Sequence, residues 1–245
     1  MAEPRGVQYA RDGGVGIITW EKLPLNTYDD LTHWGIEECW KEAKSDQGAA
    51  VIVSMAKGKH FCAGADLSGS HRTRPPGSDP PEPWTLFEFI RHLAKPTIAA
   101  VQGGCVGGGQ RQVFPCDLVF CTEDAFFRDP TVSMGLGGIQ SHLHSWFYGP
   151  RLAKEMIYSG MRLPATRLYD MGTVNRLYPS VEVLHEETLA FAHELAGGDQ
   201  LALRQAKRAS NITMDIQGLH YVASRFAELS DEHPELHLRM PPPSR

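Results

Sequence analysis

Two short runs of small residues follow apolar, β-branched stretches of the chain. The first run is residues 60–67 (HFCAGADL) after residues 50–53 (AVIV), and the second is residues 103–109 (GGCVGGG) after residues 97–101 (TIAAV). Small residues at strand ends let backbone N–H groups come close to a ligand. If the two turns lie side by side, two N–H donors can point at one oxygen, which is how enzymes stabilise an oxyanion.

The composition is typical of a globular protein with one large domain. The chain has 245 residues, of which 42% are hydrophobic and 22% charged. A net charge of −5 without a long basic run argues against a nucleic-acid partner. No segment approaches the length of a membrane span, and the first residues lack the apolar core of a signal peptide. We therefore expect neither a nucleic-acid nor a membrane partner.

The five cysteines predict a reducing compartment. Their number is odd and they form no C-x-x-C pair, so a disulfide framework or a zinc site is not expected. We expect a cytoplasmic protein without a bound metal.

Hydrophobic periodicity predicts strands that alternate with helices, followed by a mainly helical section. The predicted strands are 15–20, 50–54, 97–101 and 118–121, and the predicted helices of the first half are 28–44, 84–93 and a short one near 107–113. The polar, Pro- and Gly-rich residues 68–83 predict a mobile loop. The later helices are expected to start at 164–166 and 179–181, to include 206–209, and to end with 216–229.

Four segments resemble the crotonase (enoyl-CoA hydratase/isomerase) superfamily in order and spacing. They are residues 61–67, residues 95–101 running into 107–109, residues 116–118 and residues 149–155. The resemblance implies an α/β fold, a crotonase-type spiral of ββα units with a helical C-terminal section. It further implies a core over 1–198, a C-terminal helical trimerisation segment over 199–245, and a homotrimer or a dimer of trimers.

The same resemblance implies an acyl-CoA thioester as the ligand, with coenzyme A carried by the substrate and no separate cofactor. The backbone N–H groups of Ala65 and Gly108 would hold the thioester oxygen. The glycine run agrees, because Gly108 is expected at a helix N-terminus, where free N–H groups favour negative charge.

The remaining contacts to coenzyme A are also expectations from the resemblance. The adenine end would lie against the backbone around Ala63 and Asp66. Lys22, together with either Lys207 or Arg208 on a late helix, would bind the phosphates.

The two glutamates that activate water in hydratases of this family are replaced here. The first position, two residues after the triple glycine, is Arg111, and the second, after Pro130, is Thr131. A guanidinium stays protonated and cannot act as a general base. A threonine hydroxyl accepts no proton without a base of its own. We therefore do not expect hydration by the two-glutamate mechanism.

Asp129 is a possible replacement carboxylate, two residues before Thr131. Arg111 either forms an ion pair with Asp129 or another acid and holds the shape of the pocket, which we favour, or clamps a substrate carboxylate. His142 and His144 lie where some family members carry a catalytic group, but a helix residue with a solvent or backbone partner is the expected role of each.

The leading expectation is an enoyl-CoA hydratase/isomerase family member of acyl-CoA metabolism that stabilises an enolate without the hydratase glutamates. Ala65, Gly108, Arg111, Thr131 and Asp129 would form its catalytic site. One alternative is an acyl-CoA-binding protein without activity, and another is a decarboxylase or hydrolase that acts on a carboxylated CoA ester through Arg111. A nucleotide-binding loop is rejected, because the glycine run lacks G-x-G-x-x-G spacing.

Overall fold

The computed structural model describes residues 5–68, 72–78, 83–135 and 141–222. In these ranges the strands form a six-stranded sheet, β1-β2-β3-β4-β6-β9, and a three-stranded sheet, β5-β7-β8. Their bounds are β1 Val7–Asp12, β2 Val15–Trp20, β3 Val51–Ala56, β4 Thr97–Val101, β5 Gly104–Val106, β6 Leu118–Thr122, β7 Phe126–Arg128, β8 Leu163–Pro164 and β9 Arg176–Tyr178.

The described helices lie between and after these strands. They are α1 Asp30–Ser45, α2 Pro83–Arg91, α3 Ser141–Tyr148, α4 Pro150–Ser159, α5 Ala165–Asp170, α6 Val181–Ala196 and α7 Gln200–Ile216, with 3-10 helices at Gly107–Gln112 and Val132–Met134. No helix in the described ranges is long and apolar enough to cross a membrane.

The large sheet is buried on both faces. Side chains alternate along β3, so that Val51 and Val53 pack with Leu184 of α6 while Ile52 packs on the other face with the core that includes Trp40 of α1. Strands covered on both sides need continuous apolar runs rather than alternation, which explains why every residue of β3 and β4 is buried.

The parallel strands carry their carboxyl ends to one edge of the large sheet. β2, β3, β4, β6 and β9 run parallel, and only β1 is antiparallel to its neighbour. After β4 and β6 the chain continues into the small sheet as β5 and β7. The turns that leave the large sheet therefore gather at one edge, where ligands bind in such sheets. The predicted α/β fold of ββα units is confirmed.

Several local predictions need correction. β1, β5, β7, β8 and β9 were not predicted, and the helix near 107–113 is a 3-10 helix. α7 ends at Ile216, and residues 217–218 form a turn before residues 219–222, which are helical; the rest of the predicted last helix, 223–229, lies outside the described residues. The described part of the predicted mobile loop is held in place: Arg72 Nε donates to Asp29 Oδ2 at 2.7 Å, and Arg74 Nε donates to Asp30 Oδ1 at 2.8 Å.

The C-terminal section packs on the core of its own chain. Asn211 Nδ2 of α7 donates to the carbonyl of Arg91 in α2 at 2.7 Å, and Arg91 forms an ion pair with Asp215. The division into 1–198 and 199–245 stays a prediction.

Candidate active site

The two small-residue turns lie side by side. Cys62 N–H donates to the carbonyl of Gly104 at 3.1 Å, and Val106 N–H donates to the carbonyl of Cys62 at 2.9 Å. The backbones of Cys62 and Cys105 form a parallel β-bridge, and both residues are fully buried with free thiols. A Cβ at Gly109 would lie only 2.8 Å from Cys62 Cβ, so the approach of the two turns requires a glycine there.

Ala65 presents a free N–H at the end of the first turn. Tyr28 N–H donates to the carbonyl of Gly64 at 3.0 Å, and Asp66 N–H donates to the carbonyl of Tyr28 at 2.8 Å. A parallel bridge of this kind uses the groups on either side of Ala65. The N–H of Ala65 itself therefore points away from Tyr28, and it has no acceptor among the described residues.

Gly108 presents its N–H at the start of the 3-10 helix, where the first donors have no partner within the helix. The Tyr28 hydroxyl lies directly over this glycine. A Cβ at position 108 would collide with that hydroxyl. Tyr28 thus joins the two turns, with its backbone on Ala65 and its phenol oxygen on Gly108.

Arg111 follows Gly108 by one turn of the 3-10 helix. Its Nε atom is buried without a hydrogen-bond partner, and Arg111 forms no ion pair within the described ranges. Burial lowers the pKa of the Arg111 guanidinium, while Tyr28 and Asp129 act in the opposite direction; an arginine nevertheless remains protonated. Burial is also the largest cause that raises the pKa of Tyr28, so its phenol is neutral.

Asp129 is occupied by two partners that do not include Arg111. Its Oδ1 accepts from Thr131 N–H at 3.0 Å and from Thr131 Oγ1 at 2.6 Å. Its Oδ2 lies 3.4 Å from His144 Nε2, and the side chains of Asp129 and His144 are 5% and 0% exposed. Within the described ranges Arg111 forms an ion pair neither with Asp129 nor with another acid, although Asp129 acts on it electrostatically; the described contacts of Asp129 are with Thr131 and His144.

His144 is fully buried in α3. It lies among the aromatic rings of Phe114 and Tyr148, at centroid distances of 5.3 and 5.9 Å. Its Nε2 also lies near the carboxylate of Asp129. The side chain of His142 lies outside the described part of the chain.

Lys22 is engaged by two carboxylates beside the first turn. Its Nζ donates to Asp29 Oδ2 at 2.8 Å and to Asp66 Oδ2 at 2.7 Å. The hydrogen bond from Lys22 is the largest cause that holds the pKa of Asp66 below its usual range. Ala63 lies in the same turn, and its N–H donates to the carbonyl of Leu25 at 3.0 Å. The structure thus brings Lys22, Ala63 and Asp66 together.

Lys207 lies at the opposite edge of the large sheet. Its Nζ is 2.8 Å from Asp117 Oδ2 and 3.0 Å from the carbonyl of Lys95, and its side chain is 6% exposed. Lys95 and Asp117 precede β4 and β6, so this contact is at the amino ends of the strands, whereas Lys22 follows the carboxyl end of β2. Within one chain, Lys207 therefore does not lie near Lys22, Ala63 and Asp66, the other residues predicted to contact coenzyme A. Its role and those of the other site residues stay predictions.

Sequence reasoning missed Tyr28 altogether. Its partner Gly108 lies eighty positions further along the chain, so no local spacing marks the pair. The one available signal was the position of Tyr28 just ahead of α1, on the connection that leaves the carboxyl end of β2.

The paired turns on a sheet of this topology define a protein of crotonase architecture. A family model described as enoyl-CoA hydratase/isomerase matches residues 10–237. The chain belongs to this family, which confirms the resemblance seen in its four sequence segments.

Individual relatives agree with this assignment. Human mitochondrial Delta(3,5)-Delta(2,4)-dienoyl-CoA isomerase is 32% identical over 206 residues, which cover 76% of this chain and 63% of that protein. The match to the rat isomerase covers 57% of that protein, so the chain spans about 60% of the length of these curated relatives. The structure of a probable enoyl-CoA hydratase from Mycobacterium thermoresistibile has a TM-score of 0.81 and 34% identity, and covers 95% of this chain and 98% of its own.

A second solved structure gives the same result. It is an enoyl-CoA hydratase/isomerase from Xanthobacter autotrophicus, with a TM-score of 0.79 and 31% identity over 91% of this chain and 85% of its own.

Proposed function

We propose that this protein binds an acyl-CoA thioester and polarises its carbonyl with the N–H groups of Ala65 and Gly108. The observation that carries the proposal is that these two donors lie on turns hydrogen-bonded to each other. An oxygen atom, that of the Tyr28 hydroxyl, already lies against Gly108. The thioester oxygen would take this place as the Tyr28 ring turns aside.

Polarisation of this kind stabilises an enolate, because the two donors meet the negative charge as it develops on the oxygen. An α-proton or an α-carboxylate is then lost more easily. Arg111 and Thr131 in the glutamate positions exclude two-glutamate hydration. Asp129 is the described carboxylate whose charge acts on both Tyr28 and Arg111, and it is our candidate base.

Acyl-CoA binding without turnover is the second candidate function. Asp129 is 4% exposed, Thr131 donates to its Oδ1, and His144 Nε2 lies 3.4 Å from its Oδ2. A carboxylate enclosed in this way reaches a substrate proton only after its surroundings open.

The test uses butyryl-CoA with a 13C-labelled thioester carbon. We expect calorimetry to show binding, and infrared difference spectra to show the carbonyl band moving to lower frequency in the complex. We expect no hydration of crotonyl-CoA. Absence of binding, or a bound carbonyl band at its solution frequency, overturns the proposal. Exchange of the α-protons in deuterium oxide then separates an enzyme from a binding protein.

We also propose, from the family resemblance, that the protein assembles as a homotrimer or a dimer of trimers and needs no cofactor beyond the coenzyme A of its ligand. Sedimentation of the purified protein with and without butyryl-CoA tests the assembly.

A further inference from the structure

Arg111 is half-buried, and its side chain has neither an ion pair nor a hydrogen bond within the described ranges. Arg91 is 3% exposed and pairs with Asp215 and Glu88, and Arg72 pairs with the buried Asp29. In the described part of the chain Arg91 and Arg72 thus have carboxylate partners, whereas Arg111 has none.

None of the groups that act electrostatically on Arg111 forms an ion pair with it in the described ranges, although Asp129 favours its charged form. Tyr28 is a neutral phenol, because burial raises its pKa. His33 is neutral at pH 7, because burial and then the charges of Arg111 and Arg74 lower its pKa to about 4. Asp129 carries a charge, but its described contacts are with Thr131 and His144.

The position of Arg111 relates it directly to the carbonyl site. It comes three residues after Gly108 in the 3-10 helix Gly107–Gln112. Side chains three residues apart eclipse each other in a 3-10 helix, one turn or about 6 Å along its axis. Arg111 therefore lies on the same side of the helix as Gly108, within the length of a short acyl chain.

We propose that Arg111 binds a carboxylate at the end of the acyl group, so that the ligand is the CoA thioester of a short dicarboxylic acid. A half-buried cation without a partner is unfavourable on its own, and the planar guanidinium fork matches a carboxylate in two parallel hydrogen bonds. The inference rests on the proposed function, since it names the acyl group whose thioester Ala65 and Gly108 hold.

Calorimetry with pairs of ligands of equal carbon number tests this inference. The pairs are malonyl- and propionyl-CoA, succinyl- and butyryl-CoA, and glutaryl- and valeryl-CoA. We expect the carboxylated member of at least one pair to bind about tenfold more tightly or better, which corresponds to about 1.4 kcal/mol. Equal or weaker binding of the carboxylated member in all three pairs overturns the inference.

Variants assign the preference to Arg111. Arg111→Gln is expected to bring the two affinities of the preferred pair together, and Arg111→Lys, which keeps the charge but loses the fork, to retain part of the difference. The matched control is Arg167→Gln, which removes an exposed arginine of α5 and should keep the full preference. A preference that persists in Arg111→Gln overturns the inference.

The two proposals fail in different ways. If butyryl-CoA binds with a shifted carbonyl band but no pair shows a preference, only the inference about Arg111 is wrong. If no acyl-CoA of either kind binds the wild-type protein, the proposed function itself is wrong.

Discussion

The oxygen-binding and proton-handling halves of the site are built differently. The first consists of backbone N–H groups on residues 60–67 and 103–109, joined by hydrogen bonds between Cys62, Gly104 and Val106. The second consists of side chains that come from separate elements: Arg111, Asp129, Thr131 and His144. A backbone donor survives most substitutions of its own side chain, whereas a side-chain acid or base is lost with one substitution.

This difference explains how the chain keeps the fold of its family although Arg111 and Thr131 stand where hydratases of the family have glutamates. Replacing glutamate by Arg111 and Thr131 leaves the paired turns intact, since neither residue takes part in the contacts between them. The chemistry of the second half can therefore change while the first half still binds the same class of carbonyl group.

The largest effect is expected where the side-chain half is most buried. Asp129→Ala removes the acceptor of Thr131 and the carboxylate beside the fully buried His144, and we expect the free energy of unfolding to fall by about 3–5 kcal/mol. The matched variant Asp12→Ala breaks the exposed pair with His193, whose two side chains are 67% and 41% exposed, and should cost at most about 1 kcal/mol. Urea unfolding measures both, and equal losses would contradict the contrast.

A substitution in the oxygen-binding half should lower the affinity for the acyl-CoA ligand. Gly108→Val puts methyl groups where the Tyr28 hydroxyl now lies, which is the place that we assign to the thioester oxygen. We expect the affinity for butyryl-CoA to fall about a hundredfold, or ~3 kcal/mol, and the carbonyl shift to disappear.

The control for Gly108→Val is Gly197→Val at the end of α6. A Cβ at Gly197 meets only ordinary contacts, 3.5 Å from the nearest carbonyl oxygen, and lies far along the chain from both turns. Its affinity for butyryl-CoA should match that of the wild type. A Gly108→Val protein that binds as tightly as this control would refute the position assigned to the oxygen.

The same contrast decides what the sequence could predict. The strands at 15–20 and 97–101 were predicted with their observed bounds, because their apolar, β-branched runs are long enough to show a pattern. The paired turns follow from small residues and chain order. β5 and β7 have three residues each, too few for any periodicity, and they exist only because they pair with each other.

Side-chain partners distant in sequence could not be predicted. Arg72 meets Asp29 across 43 positions, which turns part of an apparent loop into an anchored segment. His144 and Asp129 come from different elements, and their contact depends on how α3 packs. In each case a polar side chain is expected at the surface from its local sequence. The tertiary fold instead buries it against a partner that is distant in sequence.

Arg111 should oppose stability in the absence of ligand. We expect Arg111→Gln to raise the free energy of unfolding by about 1 kcal/mol, because it removes a half-buried charge that has no partner in the described ranges; for a protein of this size that corresponds to an increase in Tm of about 2–4 °C. The matched variant Arg91→Gln should have the opposite sign and cost about 1–3 kcal/mol, since it removes a buried guanidinium from its partly exposed carboxylate partners. Destabilisation by both variants would show that Arg111 has a compensating partner.

The smallest effect is on the titration of His33. Burial and the charges of Arg111 and Arg74 lower its pKa from 6.5 to about 4. Between these values the unfolded chain takes up a proton that the folded protein does not, so the contribution of His33 to stability is complete above pH 6.5 and is lost as the pH falls toward 4. In Arg111→Gln one of the two cations is gone, and we expect the pKa of His33 in NMR titration to rise while remaining below 6.5, since burial persists. An unchanged pKa would mean that the charge of Arg111 is already neutralised in the ligand-free protein, and the proton-handling half would then be as fully paired as the oxygen-binding half.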